Sequence, residues 1–310
     1  MSSGSRSTSP SGSTRPLAAL ARFLAAAGAA VLAFGAVPAP PAGQDPATDP
    51  AAWSREEKED FLRTADIVRS EVITEGTTRS ARATLRDGRG THDAHIQSID
   101  VAAAKFEGAG GQWELNFRDT YKFNLAAYIL DRLLGMNMIP ATVERKVDKR
   151  PAAVTWWIDD VLMDEKERLR RGEKPPVPER DRWNRQIHIV RVFDQLIANK
   201  DRNLGNIVIT RSWDIWIIDH TRAFRPYREL LDPGDLVRCD RALLEGMRRL
   251  DKRTLVERLG TYLTNMEIEG LLARRDRIVK FFDDKAAREG ADAVLYDYLV
   301  ERRARPAGTD

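Results

Sequence analysis

Two neighbouring stretches of the sequence decide how the chain is interpreted. Residues 193–206 read FDQLIANKDRNLGN, and residues 215–220 read IWIIDH. The first stretch completes a helix with apolar periodicity and runs into a polar loop, in which Asp201 and Asn206 are five residues apart. The second is a short apolar run, predicted to be a strand, and Asp219 follows it directly. We expect the loop and the strand end to face the same cleft.

The residue types at these three positions indicate phosphoryl-transfer chemistry. That reaction needs a carboxylate near the attacking hydroxyl and oxygen ligands for Mg²⁺. Asp201 supplies the first, and Asn206 and Asp219 supply the second. An Asp and an Asn at this spacing are also common in polar turns, where they bond to nearby backbone. The ordered set of a long helix, a polar loop, two strands and a terminal Asp favours the catalytic interpretation.

The order of predicted elements indicates an α+β fold with a small β-rich lobe followed by a larger helical lobe. Strands are predicted over 81–85, 92–99, 142–147, 154–158, 207–210 and 215–218. Helices are predicted over 53–72, 121–133 and 183–198, and along most of the chain from 243 onward. Ser54 with Glu57 predicts a capping box, Gly135 a helix C-cap, and the glycines in 87–90 a hairpin turn.

Four regions follow from this layout. A signal peptide or membrane anchor is assigned to 1–43, a linker to 44–52, the small lobe to 53–160 and the large lobe to 161–305. The stretch 163–182 is mostly charged with three prolines, which predicts a surface connection.

The N-terminal segment has the order of a signal peptide. Arg6 and Arg15 precede an apolar Ala/Leu run over 17–37, which Arg22 interrupts and which small residues and prolines follow through Gly43. The alternatives are an uncleaved membrane anchor formed by 17–37, or a start of translation further downstream. We therefore expect a protein that is exported, periplasmic or extracellular, or membrane-anchored, and cytoplasmic if the start lies downstream.

The composition argues against two classes of function. Net charge is only +3 and the basic residues are scattered, so the chain lacks the charge pattern of a nucleic-acid-binding protein. Cys239 is the only cysteine, which excludes an internal disulfide and a cysteine-based zinc site.

The two stretches resemble the catalytic and metal-binding segments of the phosphoinositide 3/4-kinase-like and HipA-like atypical kinases, and are most similar to uncharacterised bacterial members of that group. The resemblance extends over about 71–298. It implies a bilobal protein-kinase-like fold, ATP, and Mg²⁺ or Mn²⁺ as cofactors. It also implies that Asp201 is the catalytic aspartate, that Asn206 and Asp219 bind the metal, and that Arg202 lies near the phosphates.

The resemblance implies a Lys that binds the nucleotide phosphates and a helix Glu that pairs with it. In this sequence both positions hold amide side chains. By position in the third strand the Lys falls near Gln97, and the helix Glu falls near Asn124. An amide pair is therefore predicted in place of the ion pair. Lys105, Lys122 or Lys200 is the alternative source of positive charge at the phosphates.

Other candidate contacts surround the nucleotide. Trp157 and Ile158 fall at the inter-lobe hinge, where their backbone is placed for adenine, while tryptophan side chains are more often core. Residues 76–80 form either a loop over the phosphates or a simple turn. His92 and His95 are three residues apart in a strand and point to opposite faces, which excludes a zinc pair.

Three functions remain open from the sequence. The first is an active ATP-dependent kinase whose acceptor is a protein or small molecule, with a lipid also possible. The second is a pseudokinase-like module that binds nucleotide without turnover, which the Gln97/Asn124 replacement favours. The third is nucleotidyl transfer on a similar scaffold. The mass of the product formed from ATP separates them.

Overall fold

In a computed structural model of the chain, residues 49–73, 80–107, 113–200 and 202–303 are described. The predicted signal peptide or anchor over 1–43 lies outside these residues, as do most of the linker and the predicted phosphate loop at 76–79. Within the described ranges, no helix combines the length and the apolar character needed to cross a membrane.

The described residues form twelve strands and nine α-helices. The strands are β1 (Asp66–Ile73), β2 (Ser80–Asp87), β3 (Gly90–Gln97), β4 (Asp100–Glu107), β5 (Trp113–Thr120), β6 (Thr142–Val147), β7 (Arg150–Trp156), β8 (Val161–Asp164), β9 (Ile207–Thr210), β10 (Ile215–Ile217), β11 (Cys239–Asp240) and β12 (Leu295–Tyr296). The helices are α1 (Arg55–Thr64), α2 (Lys122–Leu134), α3 (Glu165–Arg171), α4 (Arg180–Ile197), α5 (Arg241–Arg249), α6 (Lys252–Leu259), α7 (Asn265–Glu289), α8 (Ala291–Val294) and α9 (Leu299–Arg303).

The small lobe is built on a five-stranded antiparallel sheet with the order β1-β2-β3-β7-β6. The hairpin between β2 and β3 turns at 87–90, as the glycines predicted. The predicted helix over 53–72 is too long, because α1 ends at Thr64 and β1 begins at Asp66. The capping box of Ser54 and Glu57 is confirmed. Residues 67–73 are rich in β-branched side chains, and pairing with β2 outweighs the apolar periodicity that suggested a longer helix.

One face of this sheet is covered by α1. Phe61 of α1 lies 5.0 Å from Trp53 and 5.9 Å from Trp156, measured between ring centroids, and is fully buried. Ala94 and Ile96 of β3 are buried on that side. Because side chains alternate along a strand, the neighbouring polar residues of β3 project from the opposite face. That opposite face, called the inner face below, is the one available to the cleft.

A second small-lobe sheet was not predicted from the sequence. Strands β4 and β5 form a separate antiparallel hairpin, in which Phe106 and Phe117 stack with their centroids 4.0 Å apart. Its first strand is rich in alanine and its apolar residues do not alternate strictly, so the sequence gives only a weak strand signal. The hairpin leads into α2, whose predicted C-cap is confirmed because Gly135 has a φ of 66°.

The large lobe is mainly helical. Its core joins α4, α5, α6 and α7 with the small sheet β8-β9-β10. The stretch 163–182, predicted to be a surface connection, contains α3, which begins after the capping residue Asp164. Fully buried Arg274 of α7 donates to the backbone oxygens of Leu196 and Arg225, and so ties α7 to the segments that flank the predicted site. The described residues therefore form the expected α+β arrangement of a small β-rich lobe followed by a larger helical lobe.

The helix α4 ends on an alanine in a conformation that favours glycine. Ala198 has a φ of 49° and caps α4 through hydrogen bonds to the carbonyls of residues 194 and 195. We expect Ala198→Gly to raise the free energy of unfolding by about 0.5–1 kcal/mol, because relief of the Cβ strain exceeds the cost of glycine flexibility. Thermal denaturation should show a gain of about 2 °C. The control Ala287→Gly, exposed within α7, should instead destabilise the protein.

Candidate functional site

The loop after α4 is organised around the carboxylate of Asp194. Asn199 Nδ2 donates to Asp194 Oδ1 at 3.0 Å, and the guanidinium of Arg202 donates to both oxygens, with its shortest contact at 2.8 Å. The Arg202 and Asp194 side chains are each 12% exposed. Asn199 and Arg202, which lie on either side of position 201 in the chain, are thus both held by the largely buried carboxylate of Asp194.

Arg202 also reaches the second predicted segment. Its Nη1 donates to the carbonyl oxygen of Ile218 at 3.0 Å, one residue before Asp219. The described contacts of Arg202 therefore position the loop against residues 217–225, called the metal segment below because they contain the predicted ligand Asp219. The expectation that it also contacts phosphate stays a prediction.

Asn206 and the segment carrying Asp219 are brought together by the backbone. The N–H of Ile218 donates to the carbonyl oxygen of Asn206 at 3.0 Å, next to the β9–β10 pairing of Ile207 with Ile217. Asn206 is 8% exposed and ends a 3-10 helix, while Asp219 is exposed and has a φ of 54°. A short loop and a two-strand hairpin thus return the chain to the same place, as the sequence predicted.

These two side chains have the chemistry of a Mg²⁺ or Mn²⁺ site. Carboxylate and amide oxygens suit hard divalent cations, and Asp219 is open to solvent. Thr221 Oγ1 donates to Asp219 Oδ1 at 3.1 Å, which orients the carboxylate. Among the described residues there is no group of three or more His, Cys, Asp or Glu side chains arranged to hold a metal. The donor set is therefore an Asn and an Asp, to which a nucleotide would add phosphate oxygens.

Asp201, the predicted catalytic aspartate, lies outside the described residues. Its neighbours Lys200 and Arg202 are described, so its place in the chain between α4 and Asn206 is known. Its catalytic role stays a prediction based on its spacing from Asn206.

The two residues of the predicted amide pair lie on β3 and α2. Gln97 ends β3, is 2% exposed, and its Oε1 accepts from the N–H of Ile99 at 3.3 Å. Asn124 lies in the first turn of α2, is 8% exposed, and its Oδ1 accepts from the N–H of His220 at 2.7 Å. Asn124 therefore contacts the metal segment directly. Contact between Gln97 and Asn124 stays a prediction.

Sequence reasoning missed His95 as a member of the cleft. In the register of the sheet, His95 pairs with Arg82 and Thr155 and lies on the inner face with Gln97. Burial lowers the pKa of its imidazole, and the negative charge of Asp219 acts in the opposite direction. That interaction places a β3 side chain within electrostatic reach of the predicted metal ligand. Strand alternation could have grouped His95 with Gln97, but not with Asp219, which is 124 residues away.

The alternative lysines make other contacts. Lys105 is exposed on β4, with its Nζ 3.7 Å from the ring centroid of Trp113. Lys122 Nζ donates to Asp100 Oδ2 at 2.8 Å. Lys200 is exposed, with Nζ 5.8 Å from the Tyr227 ring centroid. The structure places the first two beside the β4–β5 hairpin rather than on the five-stranded sheet.

Trp157 and Ile158, predicted to lie at the inter-lobe hinge, directly follow the end of β7. The N–H of Trp157 donates to the carbonyl oxygen of Asp93 at 3.1 Å, and the Arg82 guanidinium lies 4.3 Å from a Trp157 ring centroid. Asp93 in turn accepts from Arg82 Nε and Thr84 Oγ1, each at 2.7 Å. Trp157 and its neighbour Ile158 are half-buried. The inner face beside Trp157 is therefore polar, with Asp93 paired to Arg82 and Thr84. Adenine contact stays a prediction.

The two strand histidines lie on opposite faces, as predicted. His92 stacks on buried Trp156 at a centroid distance of 3.6 Å and contacts Asp159 through Nε2 at 2.9 Å, whereas His95 lies on the inner face.

His220 is a buried histidine of the metal segment. It is 1% exposed, and burial together with the charge of Arg202 lowers the pKa of its imidazole well below the ordinary range. Its Nε2 has no hydrogen-bond partner within the described part of the chain. The imidazole is therefore neutral, and its backbone N–H rather than its ring makes the contact with Asn124.

Comparisons with known proteins bear on the fold. No family model and no curated protein sequence matches the chain. The solved structure of hydra Fam20 with sugar is similar, with 16% identity and a TM-score of 0.57, covering 77% of this chain and 90% of that one. A Golgi casein kinase is similar at 14% identity and a TM-score of 0.53, with 78% of each chain covered.

The phosphoinositide 3/4-kinase-like or HipA-like assignment is not tested by these comparisons and stays a prediction. At such low identities the likeness concerns architecture. The chain has the fold of kinase-like proteins, including Fam20.

Proposed function

We propose that this protein is an ATP- and divalent-metal-dependent phosphotransferase, an atypical kinase that acts on a hydroxyl of a protein or a small molecule. The observation that carries the proposal is the hydrogen bond from Ile218 N to Asn206 O, at 3.0 Å. This bond joins Asn206 to the residue before Asp219, and that supports the proposal that their amide and carboxylate oxygens together bind the metal that a kinase-like reaction requires.

Each residue then has a distinct task in the proposed reaction. Asn206 and Asp219 would hold Mg²⁺ or Mn²⁺, which neutralises charge on the phosphates of ATP. Asp201 would orient the acceptor hydroxyl and take up its proton. The inner face of the small lobe offers His95 and Gln97 as neutral hydrogen-bond donors toward the phosphates. Without a Lys there, the metal carries most of the charge neutralisation.

This division of tasks has a consequence for metal dependence. In typical kinases a Lys contributes a fixed positive charge at the phosphates. Here the residues on the inner face of β3 that are available to the phosphates are His95 and Gln97, and neither is a Lys. Nucleotide affinity should therefore depend strongly on the divalent cation. We also propose that the protein is exported. This part of the proposal is supported by the sequence of the N-terminal segment, whose basic n-region and apolar run have the order of a signal peptide.

The calorimetric test compares ATP binding in the presence of Mg²⁺ and of EDTA. We expect the affinity for ATP to fall by at least about tenfold in EDTA, because the phosphate charge is then left without its counter-ion. AMP serves as the matched ligand, since it should lose less affinity when metal is removed. Equal affinity for ATP in both conditions would contradict the assignment of Asn206 and Asp219.

The chemical test is the mass of the product after incubation with ATP, Mg²⁺ and a panel of acceptor proteins and sugars. A gain of one phosphate supports the kinase. A gain of an adenylyl group would instead establish nucleotidyl transfer, and metal-dependent binding without any product would indicate a nucleotide-binding module.

A further inference from the structure

Residues 118–124 of the small lobe and residues 220–225 of the metal segment lie against each other along a line of polar contacts, called the lobe seam here. The contacts are Thr120 N to Thr221 O at 2.9 Å, His220 N to Asn124 Oδ1 at 2.7 Å, Arg222 Nε to Asp119 Oδ2 at 2.9 Å and Arg225 Nη1 to Arg118 O at 2.8 Å. Most of the residues involved are at most 8% exposed, so the seam is largely shielded from water.

We propose that the lobe seam holds Asp219 in its metal-binding conformation, with Asn124 as the positioning residue that couples helix α2 to the metal segment. This inference rests on the proposed function, because it assigns a purpose to the contact of Asn124 within that site. It also assigns a role to position 124, where the kinase resemblance implies a Glu paired with a Lys. The amide oxygen of Asn124 binds the backbone of the residue directly after Asp219.

The backbone conformation of Asp219 explains why such a contact is needed. Asp219 has a φ of 54°, in the left-handed region, which is uncommon for residues other than glycine, although aspartate adopts it more readily than most. Strained conformations of this kind persist only where the surrounding structure fixes them. Asn124 fixes the following peptide, because the N–H of His220 is buried and must be paired.

The ion pair of Asp119 and Arg222 adds an electrostatic component to the seam. The Asp119 side chain is only 4% exposed, and its Oδ1 has no hydrogen-bond partner within the described residues. Arg222 therefore helps to compensate the buried charge of Asp119. If the two side chains separated, the Asp119 carboxylate would be poorly compensated. Opening of the seam would break the hydrogen bond between Asn124 and His220 and the ion pair between Asp119 and Arg222, and each loss opposes the opening.

The test replaces Asn124 with leucine, which has nearly the same shape but no acceptor. Gln195→Met is the matched control, because Gln195 is also a buried helical amide whose oxygen accepts one backbone N–H, that of Asp232 at 3.0 Å. Asn124→Asp retains an acceptor at the same place and serves as the conservative rescue. Each variant is compared with the wild-type chain by hydrogen exchange and by calorimetry with Mg²⁺ and ATP.

For Asn124→Leu without nucleotide, we expect amide exchange in 219–225 to become about tenfold faster, as the loss of one buried hydrogen bond predicts. The Kd for ATP with Mg²⁺ should rise by more than about twofold, because loss of the contact leaves a smaller fraction of the protein competent to bind. Gln195→Met should raise exchange only near Asp232 and leave the Kd within about twofold. Asn124→Asp should restore both values toward the wild type.

Unchanged exchange in 219–225, or equal changes in Asn124→Leu and Gln195→Met, would overturn the proposal. The exchange measurement requires no nucleotide, so it tests the seam even if the wild-type chain binds no ATP and the proposed function fails. Should Asn124→Leu not fold, Asp119→Asn weakens the other end of the seam, and the same region must then exchange faster for the proposal to stand.

Discussion

Replacement of Asp219 by asparagine is expected to lower phosphate transfer by a factor on the order of 10³ and to weaken metal-dependent binding of ATP. The side chain is exposed at the end of the β9–β10 hairpin, beside Asn206, and asparagine removes the negative charge that attracts a divalent cation. Asparagine tolerates positive φ, so the backbone at this position should be retained. The loss should therefore come from the metal and not from the fold.

The control for this variant is Asp148→Asn. Asp148 is also an exposed aspartate with positive φ, of 49°, and it lies at the tip of the β6–β7 hairpin. The two variants make the same chemical change in the same backbone conformation. In calorimetry with Mg²⁺ and in a transfer assay, Asp219→Asn should lose affinity for ATP and activity, and Asp148→Asn should keep both. An Asp219→Asn protein that keeps its metal-dependent affinity for ATP would show that Asp219 is not a metal ligand.

Replacement of Asp201 by asparagine is expected to lower the rate of transfer by about 10²–10⁴ while leaving the affinity for ATP with Mg²⁺ nearly unchanged. The predicted role of this carboxylate is to orient the acceptor hydroxyl and accept its proton, which asparagine cannot do. The proposed metal ligands Asn206 and Asp219 are untouched by the change. The loss should appear in kcat rather than in nucleotide binding.

This separation of effects distinguishes the two aspartates. Single-turnover rates and calorimetric affinities, measured in parallel for Asp201→Asn, Asp219→Asn and the Asp148→Asn control, give each variant its own pattern. Full turnover by Asp201→Asn would exclude the catalytic assignment. A joint loss of affinity and turnover would instead make Asp201 part of the nucleotide site.

Local sequence patterns were sufficient for much of the fold. Apolar periodicity predicted α4, the capping box predicted the start of α1, and Gly135 predicted the end of α2, because each signal acts within a few residues. The same patterns gave the wrong boundary for α1 and missed the β4–β5 hairpin, since strand pairing depends on partners that lie elsewhere in the chain.

The sequence by itself determined that Asn206 meets the segment carrying Asp219, because the two positions are separated only by a short hairpin whose strands must return the chain to its start. Only the tertiary structure decided that the charge of Asp219 acts on His95 and that Asn124 binds the backbone of His220. Those contacts join residues about one hundred positions apart. Which face of β3 and which side of α2 meet the metal segment is set by the packing of the two lobes, and no local pattern carries that information.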